Sequence, residues 1–594
     1  MLDKISLYRI KKAMIYLRHY GLKEFYVHVK ERLKTEDIDY NLWYQKHKVT
    51  KEELERQKSI VFPYQPVVSI VVPVYHTPVV YLEEMLQSVI EQSYSHWELC
   101  IANADPKVVE VTEILKKYSL EDARIKVAEV PENKGIAENT NAAIEIAQGE
   151  YIGFLDHDDL LSPDALYEIV RELNENNAEV LYSDEDKVTS DLQKHFQPHF
   201  KPEFNLDLLR SNNYICHFCV IKKSLIEEVG GLRGAFNGAQ DYDLILRCTE
   251  KAEGIVRIPR VLYHWRVHKE STADNPMTKM YAYDAGKHAI EEHLKRVGEA
   301  GSVSHRKDLG FYKVQYEMEE EPMISVLIPN KDHVEDLEKC IRSIEKSTYK
   351  NYEIIVIENN SVQKETFEYY KKIQSSNIKI VTWDSEFNYS AINNYGALVA
   401  KGEYLLLLNN DVEAIQMNWI EEMAANCQRK NVGVVGAKLY FPDNTVQHAG
   451  TIVGIGGVAG NLFVGLPRAF SGYMHKANLQ QNLSAVTAAC LMVKKSVFDE
   501  VKGFDEKLKV AFNDVDFCLK VREKGYLVVY NPEVELYHAE SKTRGPEDTK
   551  EKLERFTQEI DYMKQKWVSI LRKGDPMYNP HFSLKKCDYS LKND

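Results

Sequence analysis

The chain has 594 residues, of which 44% are hydrophobic and 28% charged, so several compact cores are expected, and a disordered, collagen-like or solenoid chain is excluded. The formal net charge of -14 argues against wrapping a nucleic-acid backbone, which needs many Lys and Arg to release counterions. Nine Cys scattered largely through apolar runs read as buried thiols in a reducing compartment.

No apolar run approaches the ~20 residues that span a bilayer, and the start, MLDKISLYRIKKAM, lacks a signal-peptide core. The expected location is cytoplasmic. Residues 1–62 read as a separate helical segment, with Leu7, Ile10, Met14 and Leu17, then Leu22, Phe25, Val29 and Leu33, at helical spacing. Residues 1–35 carry nine Lys or Arg against three acids. That local charge suits peripheral contact with an anionic membrane face, or equally a solvated face of helices docked on the first domain.

The strongest organising signal is a duplication. Pro66-Val-Val-Ser-Ile-Val-Val-Pro-Val-Tyr75 returns as Pro322-Met-Ile-Ser-Val-Leu-Ile-Pro-Asn-Lys331. A second apolar run follows each (97–102; 352–357) and then a third (149–155; 402–408), with helical patterns at 81–90 and 337–344 after the first. Continuous apolar strands alternating with helices predict α/β domains whose sheets are buried on both faces. The predicted division is 1–62, 63–300, 301–548 and 549–594, the last holding a helix through Leu553, Phe556, Ile560, Met563 and Trp567 that packs on the second domain.

Ligands of such sheets sit beyond the carboxyl ends of the strands. There the first copy places Asp156-His-Asp158-Asp159 after strand three and a Gly-bearing loop, Asn133-Lys-Gly135 to Asn141, before a helix. Clustered carboxylates are costly unless a hard cation or capped turn absorbs their charge. Cys216-His217-Phe218-Cys219 is a CxxC without a second pair at zinc-finger distance, and reads as buried thiols.

Together, SIVVPVY, NxGxxxxxN and DxDD in this order resemble glycosyltransferase family 2. The resemblance implies a Rossmann-like GT-A fold in tandem and transfer of a hexosyl or deoxyhexosyl group from a nucleotide-diphosphate sugar to a hydroxyl. It also implies inversion and dependence on Mn2+ or Mg2+. For the first copy it assigns donor binding to Pro73, Tyr75, Asn103, Asn133, Asn141, Asp156, Arg266 and His268. Metal binding falls to Asp156, Asp158 and His264, and the general base is Asp241 of Gln240-Asp-Tyr-Asp243. Ile101-Ala-Asn103-Ala-Asp105 departs from the family by lacking paired Asp, so Asn103 or Asp105 would face the nucleobase.

For the second copy the resemblance assigns donor binding to Pro329, Glu358, Asn360, Asn394, Asn410 and Arg544, metal binding to Asp411 and His538, and base catalysis to Asp514. Here DxD has become Asn409-Asn410-Asp411, which predicts weaker metal binding. The expected partners are a UDP- or dTDP-sugar donor and a glycan, lipid-linked or glycoprotein acceptor of a bacterial surface polysaccharide. Two readings compete with two active sites: one active domain beside a glycan- or nucleotide-binding domain, or a nucleotidyltransferase, whose Gly-rich triphosphate loop is not evident.

Overall fold

The computed structural model describes residues 38–268, 280–539 and 549–592, together with 17, 21–23, 25–27 and 29–31. Most of the basic 1–35 stretch lies outside the described residues. The first half builds a nine-stranded sheet from β1 (Val68–Val74), β2 (Trp97–Asn103), β3 (Ile125–Glu129), β4 (Tyr151–Phe154), β5 (Leu160–Leu161), β6 (Val180–Thr189), β7 (His195–His199), β8 (Cys219–Lys222) and β9 (Ile255–Val267). Its order is β3-β2-β1-β4-β8-β6-β9-β5, with β7 on β6. A helix, Met280–Val297, and a hairpin, β10 (Gly301–His305) with β11 (Tyr312–Tyr316), follow. Val303, Tyr312 and Tyr316 share a core with Tyr242, Ala289 and Leu294, so the first half's packing continues past residue 300.

The second half repeats the plan with β12 (Ile324–Asn330), β13 (Tyr352–Glu358), β14 (Ile378–Thr382), β15 (Tyr404–Leu408), β16 (Val412–Ala414), β17 (Val432–Tyr440), β18 (Val446–His448), β19 (Thr451–Val453), β20 (Ala459–Asn461), β21 (Gln481–Asn482), β22 (Cys490–Lys494) and β23 (Leu527–His538). The order β14-β13-β12-β15-β22-β17-β23-β16 matches the first sheet strand for strand.

β1 is buried along its whole length, as Val and Ile on a two-sided sheet demand. A proline inside such a strand would normally break a ladder. Here β4 pairs only with Val68 to Val71, so Pro73 lies beyond that ladder. Pro329 repeats this, because β15 stops pairing at Leu327. Each sheet therefore opens between its first and fourth strands at the carboxyl end, which is where the chemistry-bearing turns emerge.

The opposite end of each crevice is locked. Ser69 donates to Glu98 (2.6 Å), which also pairs with Lys126, and the Gly149 N–H donates to Ser69 Oγ (2.9 Å). Ser325, Glu353, Lys379 and Gly402 repeat the device. A Cβ on Gly149 or Gly402 would lie 2.5 Å from Ser69 Oγ or from the Ser325 nitrogen, closer than packing tolerates, which is why both third strands begin after glycine.

The halves are fused by buried polar groups. Asp207 accepts from Arg429 of the second half (2.7 Å) and from Gln480 and Asn482, while Arg210 donates to Glu299 and Tyr316. The helix Lys550–Lys566 packs on the second half, as expected, through Trp567 Nε1–H donating to Asp516 (2.8 Å). The tail then crosses back: Asn579 donates to both oxygens of Asp184, and His581 meets the Pro259 carbonyl. Before the first sheet, Tyr40, Trp43 and Tyr44 pack around Phe200, whereas Glu31 accepts from Ser471 and Gly472 in the second half. The N-terminal segment thus touches both halves, not the first alone.

Candidate active site

The turn after β4 carries Asp156 and Asp158 half-exposed and Asp159 buried. Asp159 accepts from the Tyr263 hydroxyl (2.6 Å) and the Arg266 N–H (2.7 Å). Burial, then the charges of Asp158 and Asp156, push its carboxyl well above the usual range, so it serves as a structural clamp on β9. Asp158 meets His268 Nε2 at 2.8 Å. The helix Gln240–Thr249 begins directly opposite with Asp241, whose Oδ2 accepts from Asn213 Nδ2 (2.8 Å). Burial raises the Asp241 carboxyl, Asp156 pushes the same way, and the nearby His217 opposes both. Asp158 thus contacts His268, and Asp156 is near enough to act on the charge of Asp241.

Two predicted residues stand elsewhere. His264 does not face Asp156 or Asp158: its Nδ1 meets Asp186 Oδ1 at 2.7 Å and its Nε2 meets the Tyr44 hydroxyl at 3.0 Å. The cause is register. β5 runs antiparallel to β9 with Leu160 opposite His264, so residues before Leu160 confront residues after His264, and His268 takes the expected place. Arg266 is buried behind the turn, donating to the Asp158 carbonyl (2.7 Å) and Glu84 (2.5 Å) over the Tyr81 ring. It props the turn rather than facing a diphosphate.

Along the crevice, Tyr75 is exposed against His76. Asn103 is buried, donating to Thr112 Oγ1 and accepting the Asp105 N–H (3.2 Å each). Asp105, not Asn103, lines a cavity of about 250 Å3 with Val74, His76, Thr77, Val108 and Val111. Asn133 closes a turn by accepting from Gly135 and Asn139. Asn141 exchanges hydrogen bonds with both backbone groups of Leu232 (2.9 and 3.0 Å), which ties a helix to a loop.

Composition had drawn no attention to Asn213, His217, Glu185 or Lys201. Lys201 is fully buried and donates to the carbonyls of Ile215 (2.7 Å) and His217, and Glu185 accepts the His217 N–H (3.2 Å). Burial would raise Glu185, but Lys201 and His199 outweigh it and hold the carboxyl at about 2. This pair fixes the loop that carries Asn213 to Asp241. The acidic run Ser183-Asp184-Glu185-Asp186 ending an apolar strand was the available signal. Cys216 and Cys219 are free thiols whose burial pushes them up, in keeping with the reading as packed thiols.

The second half rebuilds part of this arrangement. Asp411 lies 3.2 Å from His538 Nε2, and the ring's Nδ1 meets Gln447 (2.7 Å). Asp514 opens its helix, accepting from the N–H groups of Ala488 and Val515, and burial raises its carboxyl. Pro329 lies beyond the β15 ladder but still stands opposite Ile357 of β13. Glu358 is saturated by Ser361 and Tyr370 (2.6 Å contacts), and Asn360 donates to the Ser385 carbonyl. Asn410 donates to Asn330 (2.7 Å). Asn394 exchanges bonds with the Phe504 backbone, the twin of Asn141 with Leu232. Arg544 lies outside the described residues.

Residues 69–230 and 325–502 match the family described as Glycosyl transferase family 2. The chain belongs to that family. Among its relatives are protein y4gI of Sinorhizobium fredii (44% identical over 537 residues, 89% of this chain and 58% of the relative) and the O-antigen biosynthesis protein RfbC of Myxococcus xanthus (35% over 565 residues, 93% and 43%). Hyaluronan synthase of Pasteurella multocida is 24% identical over 64% of this chain. The chain spans about half the length of these relatives.

Among solved structures, S. aureus TarS 1–349 with UDP-GlcNAc shares 19% identity, covering 38% of this chain and 66% of that one, at a TM-score of 0.33. The mannosyltransferase PcManGT from Pyrobaculum calidifontis with GDP-Man and Mn2+ shares 15%, covering 44% and 67%, again at 0.33. The family 2 chain carries two mixed α/β sheets in tandem, one for each matched region, as the GT-A expectation required.

Proposed function

We propose that this family 2 chain transfers sugars from nucleotide-diphosphate donors to hydroxyls of a growing surface glycan, with the first half as its stronger site. The observation that carries this reading is the Asp158–His268 contact on the turn after β4, with Asp156 close enough to act on the charge of Asp241, and the matching Asp411–His538 contact after β15. The half-exposed carboxylates and the imidazole of His268 form a donor set that fits Mn2+ or Mg2+. When bound, the cation would neutralise charge on the departing diphosphate.

The remaining chemistry belongs to side chains. Asp241, oriented by Asn213, removes the acceptor's proton as its oxygen bonds to the anomeric carbon and the bond to the diphosphate oxygen breaks. One in-line step of this kind inverts configuration. Asp105 in its cavity would accept an N–H of the nucleobase, and a UDP- or dTDP-sugar is the proposed donor. Lys201 and Glu185 hold the acceptor-side loop, so orientation is set before substrate arrives. The O-antigen relative supports a place in surface-polysaccharide synthesis; among the described residues no helix is long and apolar enough to cross a membrane, and lipid-linked or glycoprotein acceptors would approach from outside the fold, with membrane contact through 1–35 as part of the proposal.

A second reading keeps the second half as a binding domain, favoured by Asn409 and Asn410 replacing carboxylates and by the internal saturation of Glu358. The test is release of nucleoside diphosphate from UDP-, dTDP- and GDP-sugars with Mn2+ or Mg2+, with and without chelator. Turnover abolished by Asp241→Asn alone supports one catalytic half. Residual transfer of a different linkage, removed by Asp514→Asn, supports two. Release of pyrophosphate from a nucleoside triphosphate would instead identify a nucleotidyltransferase.

A further inference from the structure

The displaced His264 belongs to a second cluster. Asp186, on β6, has no solvent exposure, and its Oδ1 and Oδ2 lie 2.7 Å from His264 Nδ1 and 2.9 Å from His195 Nδ1. The two rings sit 4.8 Å apart at 79°, presenting the same nitrogen toward one carboxylate, and the three donor atoms lie within 4.8 Å of one another. Four-coordinate Zn2+, with bonds near 2.0–2.1 Å, draws such ligand atoms to roughly 3.3 Å apart, so a small adjustment would seat an ion among them.

Outer partners are already in place. The Tyr40 hydroxyl donates to Asp186 Oδ2 (2.8 Å), and the Tyr44 oxygen stands 3.0 Å from His264 Nε2. With Nδ1 on a metal the proton moves to Nε2, which then donates to Tyr44; such contacts fix the tautomer of a ligating imidazole. His195, 12% exposed, and His264 border a cavity of about 620 Å3 that gives an ion a way in. The matching rung of the second sheet pairs Tyr440 with Tyr537, so the cluster is peculiar to the first half.

We propose that Asp186, His195 and His264 bind one Zn2+-class transition-metal ion, separate from the Asp156–Asp158–His268 cation site, which anchors the segment of Tyr40 and Tyr44 to the first half. Imidazole-rich donors favour Zn2+ over the Mg2+ or Mn2+ suited to carboxylates.

The test uses the untagged full chain, stripped with chelator, dialysed against Zn2+ and weighed for metal by mass spectrometry after gel filtration. Co2+ serves as a visible-absorption probe of four-coordinate geometry. One Zn2+ per chain should be retained by the wild type and by the Asp156→Asn/Asp158→Asn variant. It should be lost from His195→Gln, which keeps an amide donor for Asp186 and so preserves a purely hydrogen-bonded cluster. Tyr44→Phe, which leaves every ligand intact, should weaken Zn2+ binding about tenfold. Zn2+ retained equally by His195→Gln, or abolished by the Asp156/Asp158 variant, or absent from the wild type, overturns the assignment.

Discussion

At the end of β4 the chain turns through Asp156, His157, Asp158 and Asp159, and at the end of β15 through Asn409, Asn410 and Asp411. The backbones are equivalent, for the residue two beyond Asp158, Leu160, pairs with His264 and the residue two beyond Asp411, Glu413, pairs with Tyr537. Both turns keep an Asp–His contact, and in both halves an Asp stands in the first turn of the helix that precedes the last long strand. They part at the neighbouring groups. In the first half Asp105 opens onto a cavity, whereas its second-half counterpart, Asn360, carries no charge and donates to the Ser385 carbonyl, and Glu358, in the place of Asn103, accepts from Ser361 and Tyr370. The duplicated scaffold keeps the Asp proposed as base while the charge of the turn and the groups around it change.

The sharpest way to break this comparison is to remove each Asp in turn. Asp241→Asn should lower transfer by the first half about 10²–10⁴-fold, the usual worth of a positioned base, with the linkage of the product identifying which half is silenced. Asp514→Asn should leave that linkage intact. If both substitutions remove one and the same linkage, the halves do not work independently.

Next comes the seam between them. Asp207→Asn breaks a fully buried pair with Arg429 and should cost about 3–5 kcal/mol in denaturant unfolding. Burial alone would raise the Asp207 carboxyl, but Arg429 and Arg210 hold it below the ordinary range. Its stabilisation is therefore fully present above about pH 4 and fades as pH falls through the lowered value. Urea midpoints of wild type and variant should converge in acid, and a constant gap would show that charge is not what joins the halves there.

A smaller effect separates the two histidines of β9. His268→Ala should raise the Mn2+ concentration for half-maximal turnover about 10–100-fold, while His264→Ala should leave that requirement unchanged. The smallest is the paired test of Asn141→Ala and Asn394→Ala. Each should cost about 1–3 kcal/mol through unpaired backbone groups with the KM for donor unaltered, and a rise in KM at Asn141 would return it to the donor site.

Why did some of this stand in the residues and some not? The strand series was plain, since seven-residue apolar runs such as Val68 to Val74 suit only a two-sided sheet, and Ser-x-x-x-Pro recurs in both copies. Asp156, Asp158, Asp241, Asp411 and Asp514 could be singled out because acids that follow buried strands or open helices carry a cost that calls for a compensating partner. The choice between His264 and His268 was not, because it depends on how β5 pairs with β9. The structural bonds of Asn141 and Asn394 were not legible because their partners, Leu232 and Phe504, lie 91 and 110 residues away. Lys201 gave no signal at all: a lone lysine in a polar stretch reveals its role only when two carbonyls converge on it.

The Asp207–Arg429 seam and the returning tail have a consequence for the gene as well as the fold. A cut that freed either copy would strand Asp207 or Arg429 as an uncompensated charge and strip Asn579 from Asp184, so neither repeat is a portable module. Fusion proteins or swaps that cut between β11 and β12 should yield insoluble halves, while co-expression of the two fragments should restore a soluble pair. The repeat has become one indivisible inheritance, and its two sites must be lost, kept or altered within a single folding unit.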